Sequence, residues 1–342
     1  MGDSVRPATL VGVPTDVLVA PDSFKGTFTS AEVAGALVRG LAAAGQPAEA
    51  CPVADGGEGT LAALAPALQL STVTTAATDP LGRPIEAAFG LGDRVAVVET
   101  AAASGLGLVA ERERDPIAAT TYGTGQLLVA AVASGARNIY LAVGGSGTTD
   151  GGTGAVRALS EAGGLGRAKL TILCDVRTPF EDAARVFGPQ KGAGPDDVSR
   201  LSQRLRRQAR TYAERYGRDP RGVPMTGAAG GLSGGLFAAF GAELVAGAGF
   251  VLDAIGFDAR MRASRAVVTG EGRLDRQSLV GKLVSEVATR ARQSGVPCHA
   301  VVGSNQLEPF DARILDLQMI IEAGTVPELE AAGAKLADAI RV

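Results

Sequence analysis

One arrangement recurs along this chain and constrains its fold more than any other feature. A short apolar run rich in β-branched residues opens into a glycine-bearing loop with charged residues, and a segment with apolar residues at helical spacing follows. Residues 17–20 (VLVA) end at Pro21 and enter PDSFKGTF. Thr29 and Glu32 then have capping-box spacing, and Val33, Leu37 and Leu41 recur every four residues until Gly45. Residues 50–53 run into ADGGEGT and a helical segment with Leu61 and Leu64. Far downstream the pattern returns: residues 265–269 (RAVVT) lead into GEGRLD and a helix through Leu283, Val287 and Ala291, and residues 300–302 lead into Gly303 and Ser304. Residues 319–321 add a last strand before a C-terminal helix. Strand, loop and helix repeated in this way build a parallel sheet.

The middle of the chain reads differently. From about residue 71, STVTTAATD and the stretches PIEAAFG and VAVVET look like strands joined by turns at PLGRP and LGD, which suits antiparallel pairing. Residues 138–143 (NIYLAV) form a strand entering GGSGTTDGGTG, residues 155–162 suit a helix, and residues 171–175 (TILCD) suit another strand. Val198, Leu201 and Leu205 in the Arg-rich segment 196–218 predict an amphipathic surface helix with a solvated basic face. With 342 residues the chain exceeds one ordinary domain. The expected fold is α/β in two domains. A Rossmann-like parallel-sheet domain is built from both chain ends, 1–70 and 250–342, and a mixed α/β domain, 71–249, is inserted, with the ligand cleft expected between them.

Composition narrows the function. A net charge of −3 and the absence of a basic run beside aromatic residues leave no electrostatic footprint for nucleic acid. Residues 1–16 lack the apolar core of an export signal, and no stretch approaches the ~20 apolar residues of a membrane span, so a cytoplasmic protein without a membrane partner is expected. Cys51, Cys174 and Cys298 lie far apart in apolar surroundings, matching neither a disulfide framework nor zinc-ligand spacing, and the single His299 opens another apolar run. These four read as core residues. The 47 glycines, about twice the usual ~7% share, cluster directly after apolar runs, where backbone can approach phosphate or carboxylate.

Four such clusters could carry chemistry. Asp22, Ser23 and Lys25 follow the first strand, where open α/β sheets bind ligands; Lys25 suits an anion and Asp22 a hydroxyl or metal, although a turn with solvated charges has the same composition. Asp55 and Glu58 sit in a glycine frame and could bind Mg²⁺ or accept a hydroxyl proton. Gly144, Gly145, Ser146, Gly147 and Thr148, followed by Asp150, make the densest glycine run, suited to holding anions by backbone N–H. No Lys follows these glycines, the chain has no GxxxxGK[ST], and there is no clean GxGxxG spacing. Gly270, Glu271, Arg273 and Lys282 place an acid and two cations around one strand end, suited to phosphate and Mg²⁺ or equally to surface ion pairs.

Taken together, APDSFKGTFTSAEVAGAL, ADGGEGT, DPLGRP, ETAAASGL, TTYGTGQL, GGSGTTDGG, CDV, VFGPQKGA, GAAGGL and VVTGEGRLDRQSLVGK resemble the bacterial glycerate kinase family over most of residues 17–303. The resemblance implies ATP and glycerate as substrates, Mg²⁺ as cofactor and 2-phosphoglycerate as product. It adds Ser104 to Asp22, Ser23, Lys25 and Glu58 as substrate-binding residues. Lys25 and Arg273 are expected to bind anionic groups, with Gly144 to Thr148, Gly270 and Lys282 at the nucleotide. Asp55 or Asp150 would orient or deprotonate the glycerate hydroxyl, and Asp175 and Glu271 would face Mg²⁺. The chain departs from the family pattern at Thr149, where Asn is usual, in a shortened link at 159–169, and in the loop after Ser304. The rivals are an enzyme using a nucleotide or dinucleotide on another small hydroxy acid, and a non-catalytic sugar-acid binding protein. Whether the chain pairs into a homodimer stays open.

Overall fold

The computed structural model describes residues 17–279 and 282–341. The N-terminal segment read above for export signals, and Gly281 beside Lys282, lie outside the described residues. The strands in chain order are β1 (Val17–Pro21), β2 (Ala48–Ala50), β3 (Ser71–Thr78), β4 (Pro84–Leu91), β5 (Val95–Glu99), β6 (Asn138–Ala142), β7 (Lys169–Leu173), β8 (Glu243–Val245), β9 (Ala266–Leu274), β10 (Cys298–Asn305) and β11 (Leu317–Glu322). Packing divides the chain into two compact units. One holds the described residues up to Ala54 and from Val251 onward, and the other is Asp55–Phe250.

The first unit is a five-stranded sheet in the order β11-β10-β9-β1-β2, parallel throughout. β1 is buried along its whole length, as a central parallel strand of continuous apolar sequence must be. Helix Ser30–Ala43 begins with the expected capping box: the Glu32 amide donates to Thr29 Oγ1 at 3.2 Å, and the Thr29 amide donates to Glu32 Oε2 at 2.8 Å. Its Val33, Leu37 and Leu41 are wholly buried in one core with Val17 and Val19 and with Leu329 and Leu336 of helix Val326–Arg341. The two helices meet at glycines. A Cβ on Gly40 would lie 2.0 Å from the Glu330 carbonyl oxygen, and one on Gly333 would lie 2.4 Å from that of Leu37.

The second unit is a six-stranded mixed sheet ordered β3-β4-β5-β6-β7-β8. β3, β4 and β5 pair antiparallel, as their turn-linked sequence predicts, and β5 through β8 are parallel. The turn between β3 and β4 is fixed by Asp79, whose carboxylate accepts from the amides of Leu81 and Arg83 and from Arg83 Nε.

Several elements differ from the sequence reading. GEGRL was expected to be loop, yet β9 continues through it to Leu274, because β10 runs alongside to Asn305 and pairs Ser304 with Arg273 and Asn305 with Leu274. β10 likewise runs past Gly303 and Ser304. β2 is displaced toward its N-terminal side, although the amides of Cys51 and Val53 still bond to the carbonyls of Val19 and Pro21. β7 stops at Leu173, before Cys174 and Asp175. The basic helix, Pro195–Tyr216, is not solvated along its whole polar side, since Arg204 reaches inward to the carbonyls of Ile117 and Thr149. Cys51, Cys174 and Cys298 are free and buried, with thiols pushed up by burial, and His299 is 5% exposed.

Candidate active site

In the first unit the charged residues gather at the carboxyl ends of β1 and β9. Asp22 is buried, its amide donates to the Gly270 carbonyl at 2.8 Å, and its Oδ1 accepts from the Ser23 amide at 2.7 Å. Phe24 and Phe28 close a tight loop through reciprocal backbone bonds, which leaves Lys25 exposed at its tip. Glu271 has one carboxylate oxygen, Oε1, that is buried and without a hydrogen-bond partner among the described residues. Desolvation raises its pKa, opposed by a bond from Ser278 and by the charges of Lys282 and Lys25. Lys282 Nζ stands 3.9 Å from both Glu271 Oε2 and Asp275 Oδ1. Arg273 is largely exposed, with Nε 3.7 Å from Asp275 Oδ2. Lys25, Glu271, Arg273 and Lys282 are thus brought together. Gly270, expected at the nucleotide, is instead buried inside β9, where a Cβ would lie 2.1 Å from the Val301 carbonyl oxygen.

In the second unit the ADGGEGT loop packs directly on the GGSGTTDGG loop. A Cβ on Gly144 would lie 2.4 Å from Gly57 Cα, so only glycine admits this approach. Asp55 is half-buried, with Oδ1 accepting from the Gly57 amide at 3.0 Å, and the exposed Glu58 carries its carboxylate over Gly145. The start of helix Thr60–Leu68 is occupied by Glu99, whose Oε1 accepts from the Leu61 amide at 2.8 Å. Asp175 accepts from the Ala248 amide at 3.2 Å to each oxygen. Asp55 and Asp175 both lie close enough to Cys174 for their charges to help raise its thiol, behind the larger effect of burial.

The glycine loop offers fewer amides than its sequence suggests. The Gly144 amide donates to the Gly56 carbonyl at 3.3 Å, and that of Gly147 to the Ser104 carbonyl at 2.8 Å. Thr148 is wholly buried. The amides of Gly145 and Ser146 have no partner among the described residues, and Gly145 is exposed. Ser104, expected to touch substrate, is itself wholly buried, with its Oγ accepting from Thr124 at 2.7 Å.

Asp150 is committed elsewhere. Its carboxylate accepts from the amide and hydroxyl of Thr121 and from the amides of Gly152 and Gly154, joining the TTYGTG segment to the start of helix Thr153–Glu161. Four consecutive carbonyls of the loop are held from behind. Thr148 accepts from Lys191 Nζ at 2.6 Å, Thr149 from Arg204 at 2.7 Å, Asp150 from Gln208 at 2.9 Å and Gly151 from Tyr212 Oη at 3.0 Å. None of these four side chains was singled out in the sequence. Three of them recur every four residues along the helix face, which is a signal, but an Arg or Gln on an amphipathic helix is ordinarily solvated.

Among the described residues no group of three or more His, Cys, Asp or Glu side chains could hold a metal ion. No helix there is long and apolar enough to cross a membrane.

A glycine loop at the end of a parallel strand, with two amides that have no partner among the described residues, a carboxylate beside it and cations behind it, is the apparatus of an α/β protein that handles anionic small molecules. Comparison with known proteins is more specific. The model of the glycerate kinase family matches residues 17–164 and 160–339, so this chain belongs to that family. It is 40% identical over 323 residues to a glycerate kinase of Halalkalibacterium halodurans, covering 84% of this chain and 85% of the relative. It is 37% identical, with the same coverage, to the glycerate 2-kinase of Escherichia coli K12. A crystal structure from Salmonella typhimurium LT2, described as a glycerate kinase 2, superposes with a TM-score of 0.79 at 31% identity, covering 96% of this chain and 98% of that one.

Proposed function

We propose that this chain transfers the γ-phosphate of ATP to a hydroxyl of D-glycerate, giving 2-phosphoglycerate. The observation that carries the reading is the family match, which runs through both units of the chain. The site chemistry agrees with it, since phosphoryl transfer depends on positioning and charge neutralisation more than on a special nucleophile.

On this reading the amides of Gly145 and Ser146 receive nucleotide phosphate. Asp55, half-exposed beside that loop, orients the acceptor hydroxyl and takes its proton; it suits this role better than Asp150, whose oxygens are already engaged. Lys25, Arg273 and Lys282 meet anionic groups of the substrates. One or two carboxylates together with substrate phosphates would suffice to hold Mg²⁺, which would supply neutralisation of the phosphate charge. The buried, unpartnered Glu271 Oε1 fits that requirement, and Asp175 is the second candidate.

Coupled measurement of ADP release with D-glycerate tests the activity, and phosphorus NMR of the product tests the position. No release of ADP above the rate without glycerate would end the proposal. Lys25→Ala should lower kcat/KM at least tenfold, about 1.4 kcal/mol. Near-normal kinetics would remove Lys25 from the site.

A further inference from the structure

The glycine loop of this chain lacks the lysine that phosphate loops of other folds carry in their own sequence. The fold brings one in from a different segment. Residues 188–192 make a tight turn between two glycines: the Lys191 amide donates to the Gly188 carbonyl at 2.9 Å and the Gly192 amide to that of Pro189 at 3.1 Å. The Lys191 side chain is thereby sent inward, and the residue is only 2% exposed. Its Nζ donates to Ser146 Oγ at 2.9 Å and to the Thr148 carbonyl at 2.6 Å.

Both acceptors are neutral. Among the described residues Lys191 has no ion-pair partner within 4.0 Å, and Asp150 acts on it only at longer range. A buried ammonium without a matching anion is costly, by several kcal/mol in general. Burial accordingly pushes Lys191 down to about 7. Lys191 also lines a small cavity with Gly105, Gly147, Arg114 and Asp115, the last two bringing charges of opposite sign to it. Ser146, to which the ammonium donates, is buried; Gly145 beside it is exposed, with the Glu58 carboxylate close by, and neither amide has a partner among the described residues. Because Ser146 Oγ accepts from Lys191, its own proton remains available to donate. An anion at Gly145 and Ser146 would therefore supply the missing counter-charge.

We propose that Lys191 positions the nucleotide phosphates: acting through Ser146 Oγ and the Thr148 carbonyl, its ammonium holds the glycine loop in an anion-receiving shape and supplies the positive charge beneath it. The inference rests on the kinase reading above and assigns to it a positioning residue.

Lys191→Met keeps the length of the side chain and removes its charge. Steady-state kinetics should show the KM for ATP rising at least tenfold, with the KM for D-glycerate within twofold of wild type. Ser146→Ala, which removes the hydroxyl that relays the charge, should raise the KM for ATP at least threefold. The double variant should resemble Lys191→Met within twofold, because both changes break one chain of contacts. A folded Lys191→Met enzyme with a KM for ATP within twofold of wild type, or with both KM values raised alike, overturns the inference. Should Lys191→Met fail to fold, Ser146→Ala decides, and an ATP KM within twofold of wild type is the negative result. A wild-type chain that turns over glycerate while the variants keep their ATP KM sinks this inference alone. A wild-type chain that releases no ADP sinks the kinase reading and the inference with it.

Discussion

Asp55 and Asp150 carry the same side chain into opposite surroundings. Asp150 is 7% exposed and accepts from the Thr121 amide and hydroxyl and two glycine amides; Asp55 is half-buried at a loop edge. Asp150→Asn sets an amide N–H₂ against those donors and removes charge-assisted bonds worth about 1.5–3 kcal/mol. Melting should fall by roughly 5–10 °C. Asp55→Asn should leave melting nearly unchanged and lower kcat by about 10²-fold or more, as loss of a general base does. A reversed pattern, with Asp150→Asn stable but inactive, would exchange their roles. Lys191 adds a pH signature. Its folded pKa is depressed to about 7 from an ordinary 10.5, so between those values the unfolded chain binds more protons and stability rises with pH. Relative to Lys191→Met, the wild type should gain up to ~1.4 kcal/mol per pH unit from pH 7 to 10 in denaturant unfolding, and parallel curves would contradict it.

Elements governed by local rules were legible in the sequence. The capping box of Thr29 and Glu32, the apolar repeat behind it, the β3–β4 hairpin and the glycine loop after β6 all follow from short-range chemistry. What escaped depends on partners distant in sequence. β9 runs through GEGRL because β10 is alongside, and Ser104, quoted within a motif, proves to be fully covered. Lys191 was visible only as a lone lysine between glycines, and nothing in that turn names the loop it serves. The candidate site was therefore legible as a set of loops but not as a set of roles. Glycine contacts carry the loop arrangement, so Gly144→Ala should be more harmful than its single methyl suggests. With Gly57 Cα at 2.4 Å from the added carbon, a cost of about 1–3 kcal/mol and a reduced kcat/KM are expected. Unchanged melting and activity would show that the two loops can separate freely.

At the scale of the whole molecule, one unit is contiguous in sequence and the other is assembled from separated stretches. β1 lies between β9 and β2, with Val17 opposite Ala266 and Pro21 opposite Gly270. The early strand therefore waits for a neighbour encoded far toward the other terminus. On the ribosome, at about 5–20 residues per second, that delay is on the order of 10–50 s. Throughout it, the apolar face of helix Ser30–Ala43 and the β9-facing edge of β1 lack their eventual cover, whereas the intervening segment already has everything needed to become protease-resistant. Stalled nascent chains should show that order of protection, and the first strand is where a chaperone would be recruited.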